Sequence, residues 1–407
     1  MSAKQPPLPL EEAQARLLEL GTPMPIERVD IEGALGRYLA EPLSALRTQP
    51  AADLSAMDGY AVRPDNMAGP WRIIGESAAG HPFEGSVGDS EAVRIATGAV
   101  MPEDADAVIL QEDITREGDR IELTGDGPKP PSKHIRRTGM DFTVGKQILA
   151  AGTRIGPAQT ALAISSGHKH LAVRRPPKIA IIDSGDELAA DPDCCEPHQI
   201  PASNGAMLLA MVKSLPCDAD RLGPAGDTMD ALAAVLERAE DADVIVTSGG
   251  ASVGDHDLIR PALEAWGANI DFWRVAIKPG KPLLVATRKR PWGRQVILGL
   301  PGNPVSSHVT AYLFLLPLLR GLLGAADPLP RTFQTRLASP LEPNGSRRTF
   351  VRAHWDGSSA SAQQIQDSGA LAALAASNVL IDRPARAAAA QAGDEVSVFL
   401  LQNGGIA

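Results

Sequence analysis

The apolar and polar positions fall into four textures along the chain. Residues 9–45 read as helix, strand and helix, in "LEEAQARLLEL", "IERVDI" and "EGALGRYLA". Between residues 46 and 141 the apolar runs are short and broken by Gly and Pro: "WRIIGES", "EAVRIATG", "DAVILQED" and "DRIELTG". Runs of that length, with turn residues between them, predict a small all-β domain. "GPAQTALAISSG" then predicts a helix with Pro157 near its start. Packed back on the first segment, it makes the β domain an insertion between two halves of a helical unit.

From Lys178 the texture changes. "KIAIID", "DVIVTSGG" and "QVILGLPGNP" predict strands without internal charge. They alternate with helices in "SNGAMLLAMVKSL", opened by Ser203 or Asn204, and in "GDTMDALAAVLERAED". In the latter Met229, Leu232, Leu236 and Ala239 form one apolar face, and Asp227 stands at the capping position with Asp230 three residues on. The third strand leads into a helix that Asn303 can cap and Pro304 can start. Such alternation predicts a parallel sheet covered on both faces. "VTAYLFLLPLL", Val309 to Leu319, is shorter than the ~20 apolar residues needed to cross a bilayer and predicts a buried helix. After Pro328 short strands return, as in "RTFVRAHW" and "DEVSVFLL". The expected organisation is multidomain α/β plus β. A helical linker unit (1–45 with 142–176) carries an inserted small β domain (46–141). A central parallel-sheet α/β domain (177–326) and a C-terminal β-barrel (327–407) follow.

Composition adds constraints. The 407 residues exceed one ordinary core, and a 44% hydrophobic, 22% charged balance is that of a globular protein. A net charge of −10 gives no general attraction to nucleic acid or an anionic membrane surface, so an anion site must be built locally. With 4% aromatics, stacking platforms for single strands are not expected. The N-terminus lacks an apolar signal core. Three cysteines without a CxxC pair predict a reducing, cytoplasmic compartment. Cys194 and Cys195, with His198 nearby, lie between Pro192 and Pro197, and an exposed loop is the simpler reading than a metal site.

Ligands of open parallel sheets collect at the carboxyl ends of the strands. There the chain carries "TSGGASVGDHD", Thr247 to Asp257, ahead of the helical pattern "DLIRPALEAW". Glycines admit an anion close to backbone amides, a helix start adds partial positive charge, and Ser248 and Ser252 can donate hydrogen bonds. Tight strand-to-helix turns need glycine too, and this stretch matches neither G-x-G-x-x-G nor a Walker A loop. "KPGKP", Lys278 to Pro282, sets two ammonium groups on a proline-stiffened turn, and "LPGNPVSS" places a further glycine turn at a strand end. "DSGDEL" puts Asp183, Asp186 and Glu187 past the first strand. Acids beside a phosphate site suggest Mg²⁺, held through one or two carboxylates, waters and substrate phosphates.

Nine motifs in this order carry a resemblance that covers essentially the whole chain: "DLSAMDGYAV", "ATGAVMP", "HIRRTGMDF", "GTRIGPAQ", "DSGDEL", "SNGAML", "TSGGASVGDHD", "KPGKPLLVA" and "LPGNPVSS". Together they resemble the molybdopterin molybdenumtransferase family of molybdenum cofactor biosynthesis, to which the E domain of gephyrin is similar. The resemblance implies that the α/β domain is a molybdopterin-binding domain. It also implies an elongated homodimer whose clefts are shared between the α/β domain of one subunit and the β insertion of the other. The implied reaction joins molybdate with adenylylated molybdopterin, with Mg²⁺, and releases AMP. The metal enters on the substrate's own dithiolate.

Position by position, the resemblance implies catalytic acids at Asp58, Asp141, Glu187, Asp227 and Asp257, with Glu187 and Asp257 as Mg²⁺ ligands. It implies Thr97 as a polar partner in the cleft, among the substrate-binding residues. It implies ligand contacts at Ser248, Gly249, Gly250, Ser252, Gly254, Lys278, Lys281, Pro301 and Pro304, and contacts near molybdate at Ser306 and Arg352. Implied partners are the small molecules and, downstream, molybdoenzymes or their chaperones, with no nucleic acid and no membrane. Two positions depart from the family pattern: Met140 replaces a glutamate before Asp141, and Ala373 replaces a serine near molybdate. The alternatives are a hydrolase or adenylyltransferase on a related pterin nucleotide, and a mainly scaffolding paralogue. The first would not need "SAMDGYA" and "KPGKP" together, and nothing here resembles the extra binding segment of the second.

Overall fold

A computed structural model describes residues 6–249 and 258–401. The strand Ile26–Asp30 runs antiparallel to His170–Arg174. The helix Pro157–Ser165 starts on its proline, and Ala163 packs with Ile31, Leu39, Ile155 and Leu171. The two ends of the linker unit therefore close on each other, and the intervening segment loops out between them. The helix Leu10–Leu20 packs elsewhere. Its face of Leu10, Ala13 and Leu17 joins the large α/β core, and buried Gln14 donates to the Leu313 carbonyl at 2.8 Å.

All four apolar runs of residues 46–141 contain strands: Trp71–Ser77, Glu91–Ile95, Ala107–Leu110 and Arg120–Leu123. They share a six-stranded sheet with Gly59–Val62 and Ile114–Glu117. Its core forms two clusters, one around Tyr60, Trp71 and Ile109, the other around Ala61, Val93 and Val108. Gly59–Val62 is buried at all four positions. Burial on both sides removes the alternation that marks a half-exposed strand, so this central strand leaves little pattern in the sequence.

The α/β sheet has the order Asp218–Arg221, Lys178–Asp183, Val244–Ser248, Gly293–Leu300, Pro282–Arg290, Asn269–Arg274. The first four strands are parallel, as expected. Pro282–Arg290 runs antiparallel to both of its neighbours, which makes the sheet mixed. The reason is local: Arg290 pairs with Gly293, so only two residues join Pro282–Arg290 to Gly293–Leu300. A two-residue connection can only make a hairpin, because a parallel crossover needs a dozen or more. Leu208, Val212, Val305 and Leu313 cover one face of the sheet, and Leu232, Val235, Ile259 and Leu263 the other.

The apolar run near residue 310 is longer than its sequence signal. Pro304–Leu322 is one continuous helical run, with a π turn at Ala311–Leu315 between two α segments. Among the described residues it is the one helix long and apolar enough to cross a membrane, yet 89% of its apolar window is buried inside the protein. Pro317 does not break it. A proline ring collides with the carbonyl four residues back, here that of Leu313, and a widened π turn moves that carbonyl aside.

The strands Thr332–Leu337, Arg348–Trp355, Ser359–Ala362, Val379–Arg383 and Glu395–Leu400 close into a five-stranded barrel. Ile277–Lys278 pairs in parallel with Arg348 and Thr349, joining the barrel to the α/β sheet. The Tyr312 hydroxyl donates to the Leu400 carbonyl at 2.9 Å, and its ring meets Phe399 edge-on.

Candidate active site

A cleft of about 1010 Å³ opens at the carboxyl ends of the parallel strands. Asp183, Ser248 and Gly249, and the turn Pro301–Pro304 each contribute a wall at one strand end. Two helices begin in it, Ser203–Val212 at Ser203 and Asn204, and Pro304–Thr310 at Pro304. Leu258 and Ile259, at the start of the short helix Ile259–Ala265, line it too. Helix starts present unpaired N–H groups and partial positive charge. In a chain of net charge −10 this convergence gives the cleft local partial positive charge of the kind that suits an anion. Sequence shows each helix start alone; only the sheet order brings them together.

The glycine turn works differently from the sequence expectation. The Gly249 N–H is not free for an anion, because it donates to the Leu300 carbonyl at 3.2 Å. What Gly249 supplies is room. At φ +103° it takes a conformation that side chains avoid, and a Cβ there would stand 2.9 Å from the Ser184 carbonyl. Gly250, Ser252, Gly254 and Asp257 lie outside the described residues. Ser248 is buried, and its Oγ accepts from Asn204 Nδ2 at 2.9 Å. That bond leaves the Ser248 proton to donate elsewhere.

Glu187 and Asp227 both line the cleft with exposed carboxylates. Asp227 is not the helix cap that its position suggested. The cap of Met229–Arg238 is Thr228, whose hydroxyl accepts from the Ala231 N–H at 3.2 Å. Asp227 instead faces Asp186: each backbone N–H donates to the other's carboxylate, at 2.9 and 3.4 Å. The pair fixes the Asp186–Glu187 loop against the start of the helix. Thr228→Ala should therefore cost about 1 kcal/mol in chemical denaturation. Asp227→Asn should leave the helix start intact. Equal losses from the two would contradict this assignment. Asn303 occupies a cap position but makes no capping hydrogen bond with its side chain. Met229, placed on the apolar face from sequence, is exposed, and Val235 is buried in its stead.

Asp183 ends the first strand and is 1% exposed. One oxygen accepts from Arg221 Nε at 3.0 Å, and the other is buried with no partner. Burial raises its carboxyl pKa, with Arg221 opposing.

The lysine turn lies beside the cleft. Lys278 and Lys281 are exposed, and Pro282 of the same turn lines the cleft while neither lysine does. Gly280, at φ +99°, presses on the helix that carries Ser306: a Cβ there would meet Thr310 Oγ1 at 2.4 Å and lie 3.5 Å from the Ser306 carbonyl. Ser306 itself is buried. Pro301 and Pro304 line the cleft as expected. Arg352, expected beside an oxyanion, is 2% exposed and points its guanidinium at backbone carbonyls. It donates to Asp367 at 2.8 Å and to Ile365 at 3.2 Å. It supports the loop that places Gly369 and Leu371 at the cleft rim. Ala373 sits in the short helix Leu371–Ala375 just beyond.

Asp58 and Thr97 meet on the inserted sheet, 39 residues apart in sequence. Asp58 Oδ1 accepts from the Thr97 N–H at 2.6 Å and from its hydroxyl at 2.9 Å. These bonds, the backbone one first, lower the pKa of the exposed Asp58. Asp141 is exposed, and its N–H donates to the Gln49 carbonyl at 3.2 Å. Met140, beside it, is 64% exposed. Asp58, Thr97 and Asp141 are not among the residues that line the cleft. Among the described residues no group of three or more His, Cys, Asp or Glu gathers as a metal cluster, and Cys194 is an exposed free thiol.

Comparisons with known proteins agree along the chain. Residues 8–167 match the model of the MoeA N-terminal region (domain I and II), 180–321 a probable molybdopterin binding domain, and 334–401 the MoeA C-terminal region (domain IV). A protein named molybdopterin molybdenumtransferase from Nostoc sp. is 35% identical over 334 residues, 80% of this chain and 76% of that one. One of the same name from Staphylococcus aureus is 30% identical over 98% of this chain and 97% of its own length. Among solved structures, a molybdopterin biosynthesis protein from Pyrococcus horikoshii superposes with a TM-score of 0.79 at 31% identity, covering 98% of this chain and all of that one. A second structure of that description gives 0.83 at 27% identity, covering 97% and 100%. With its fold, its cleft and its full-length relatives in agreement, the chain belongs to the molybdopterin molybdenumtransferase family, transferases of molybdenum cofactor biosynthesis.

Proposed function

We propose that this protein takes adenylylated molybdopterin and molybdate, releases AMP, and yields molybdenum cofactor. The observation that carries this is the meeting of helix starts, the Ser248 hydroxyl and two carboxylates in one cleft at the strand ends. The helix starts and Ser248 would bind the phosphate end of the pterin. Lys281 and Lys278, compact ammonium groups on a stiff turn, would hold molybdate as point charges near Ser306. Glu187 and Asp227 offer hard oxygen donors that leave positions for water and phosphate, which fits Mg²⁺, with Asp257 as the further ligand expected from sequence. A bound Mg²⁺ would neutralise phosphate charge at the adenylyl bond. The transferred metal is substrate, received by the pterin's sulfurs.

The site is proposed to be completed by a second copy of the chain. The acids Asp58 and Asp141 lie on the insertion, apart from the cleft that Glu187 and Asp227 line. Leu46, Val144 and Ile164 leave large apolar side chains exposed on or beside the linker unit, where the Leu46 N–H donates to the Ser166 carbonyl. A homodimer joined there would cover them.

The decisive assay supplies adenylylated molybdopterin, molybdate and Mg²⁺ and follows AMP release together with active cofactor. Both products should rise together; AMP without cofactor would point to a hydrolase instead. Mixing Asp58→Ala and Glu187→Ala subunits should give heterodimers with one intact cleft of two. No recovery in verified heterodimers would argue against a shared site.

A further inference from the structure

The cleft's glycine turns are held at a fixed spacing by one side chain that the proposed reaction leaves unused. Asn204 donates both protons of its amide, one to Ser248 Oγ at 2.9 Å and one to the Gly302 carbonyl at 2.7 Å. The second bond fixes the orientation of the amide, because a backbone carbonyl only accepts. Asn204 thus ties the end of Val244–Ser248 to the turn after Gly293–Leu300. Its own helix start is tied to the first strand: Arg221 donates to the Ala202 carbonyl at 2.7 Å and to Asp183 at 3.0 Å. Gly205 lets this happen, since a Cβ there would stand 2.1 Å from Asp183 Oδ2. The three residues of "SNG" thus divide the labour. Ser203 begins the helix, Asn204 spans the strand ends, and Gly205 clears the buried carboxylate.

We propose that Asn204 is a positioning residue for the pterin phosphate. It acts through Ser248, holding the hydroxyl oxygen so that its proton points into the cleft, and it sets the distance between Ser248 and the Pro301–Pro304 turn. This rests on the reading that the cleft takes a phosphate-bearing pterin. A lone serine hydroxyl rotates among three staggered wells. A donor held on its oxygen selects the orientation that gives the proton to a ligand. With that donor removed, the hydroxyl is free to rotate among its wells, and the ligand loses both an oriented hydrogen bond and the spacing of the two turns.

The test is a double-mutant cycle on the full-length protein, with Asn204→Ala, Ser248→Ala and both, read by equilibrium binding of molybdopterin and by thermal unfolding. Asn204→Ala should weaken pterin binding ~10-fold or more, the equivalent of one lost hydrogen bond to a charged group. The double variant should then lose little beyond the larger single loss, because the two residues act as one unit. Adding Asn204→Asp tests the need for donors. It keeps the shape but carries none and sets a carboxylate against the Gly302 carbonyl, so it should bind no better than Asn204→Ala. Losses that multiply in the double variant, or binding by Asn204→Asp equal to the unaltered protein, would overturn the positioning role. If the unaltered protein itself fails to bind molybdopterin, the reading of the cleft falls, and this proposal with it.

Discussion

Gly59→Ala should disrupt the inserted sheet, with a loss of about 3 kcal/mol or more. Gly59 begins a strand that is hydrogen-bonded on both sides, paired with Ile95 and with Leu110. A Cβ there would stand 2.0 Å from the Ile109 carbonyl oxygen and 3.2 Å from the Leu110 Cα. Both obstacles are backbone, so no side-chain rotation relieves them, and the neighbouring strand has to move. Asp58 is the preceding residue, and its carbonyl accepts from the Gln111 N–H at 3.3 Å. Displacing the strand should also pull Asp58 from Thr97, so activity should fall together with protection of the sheet amides in hydrogen exchange. Gly345→Ala is the control. Nothing lies within 4 Å of its added Cβ, and its change should stay within about 0.5 kcal/mol. Equal stability of the two variants would show that the sheet yields at Gly59.

His308 should make the protein acid-sensitive. Its imidazole is 6% exposed on the helix that forms one wall of the cleft, and Nδ1 has no hydrogen-bond partner. Burial pushes its pKa down from 6.5 to about 4. The unfolded chain takes up this proton as pH falls through 6.5, whereas the folded chain takes it up only near 4. Between those values the unfolded state binds more protons, so the contribution of His308 is complete above pH 6.5 and lost as pH falls toward 4. The shift corresponds to roughly 3 kcal/mol. His308→Gln cannot take a proton, so stability measured by urea unfolding from pH 7 to 4 should fall less steeply than in the unaltered protein. Parallel pH profiles would remove His308 as the cause. Asp183 contributes with the opposite sign: its raised pKa gives stability at low pH that is lost as pH rises through that value.

The parts legible in sequence were those where local pattern decides the outcome. The runs at Trp71–Ser77, Glu91–Ile95, Ala107–Leu110 and Arg120–Leu123 announced strands, and the charge-free runs ending at Asp183, Ser248 and Leu300 announced a covered parallel sheet. The motif order announced the family, and the placing of Glu187, Asp227, Ser248, Pro301 and Pro304 in one cleft follows from the rule that ligands gather at strand ends. Gly59–Val62 stayed hidden because burial along its whole length erases alternation.

Partner choice was the part that only the tertiary structure decided. From position alone an aspartate before a helix is a cap, yet Thr228 caps and Asp227 pairs with Asp186. An arginine in a family motif was expected at an anion, and the structure shows Arg352 donating to carbonyls of a neighbouring loop. Asn204 read as a helix start, and its link to Gly302, 98 residues away, has no trace in local pattern. The sequence by itself determined which segments become strands and helices, because backbone preference and apolar period are properties of neighbouring residues. Which donor meets which acceptor was settled by the fold. A buried polar group takes whatever partner packing brings within about 3 Å, and that partner comes from a distant part of the chain.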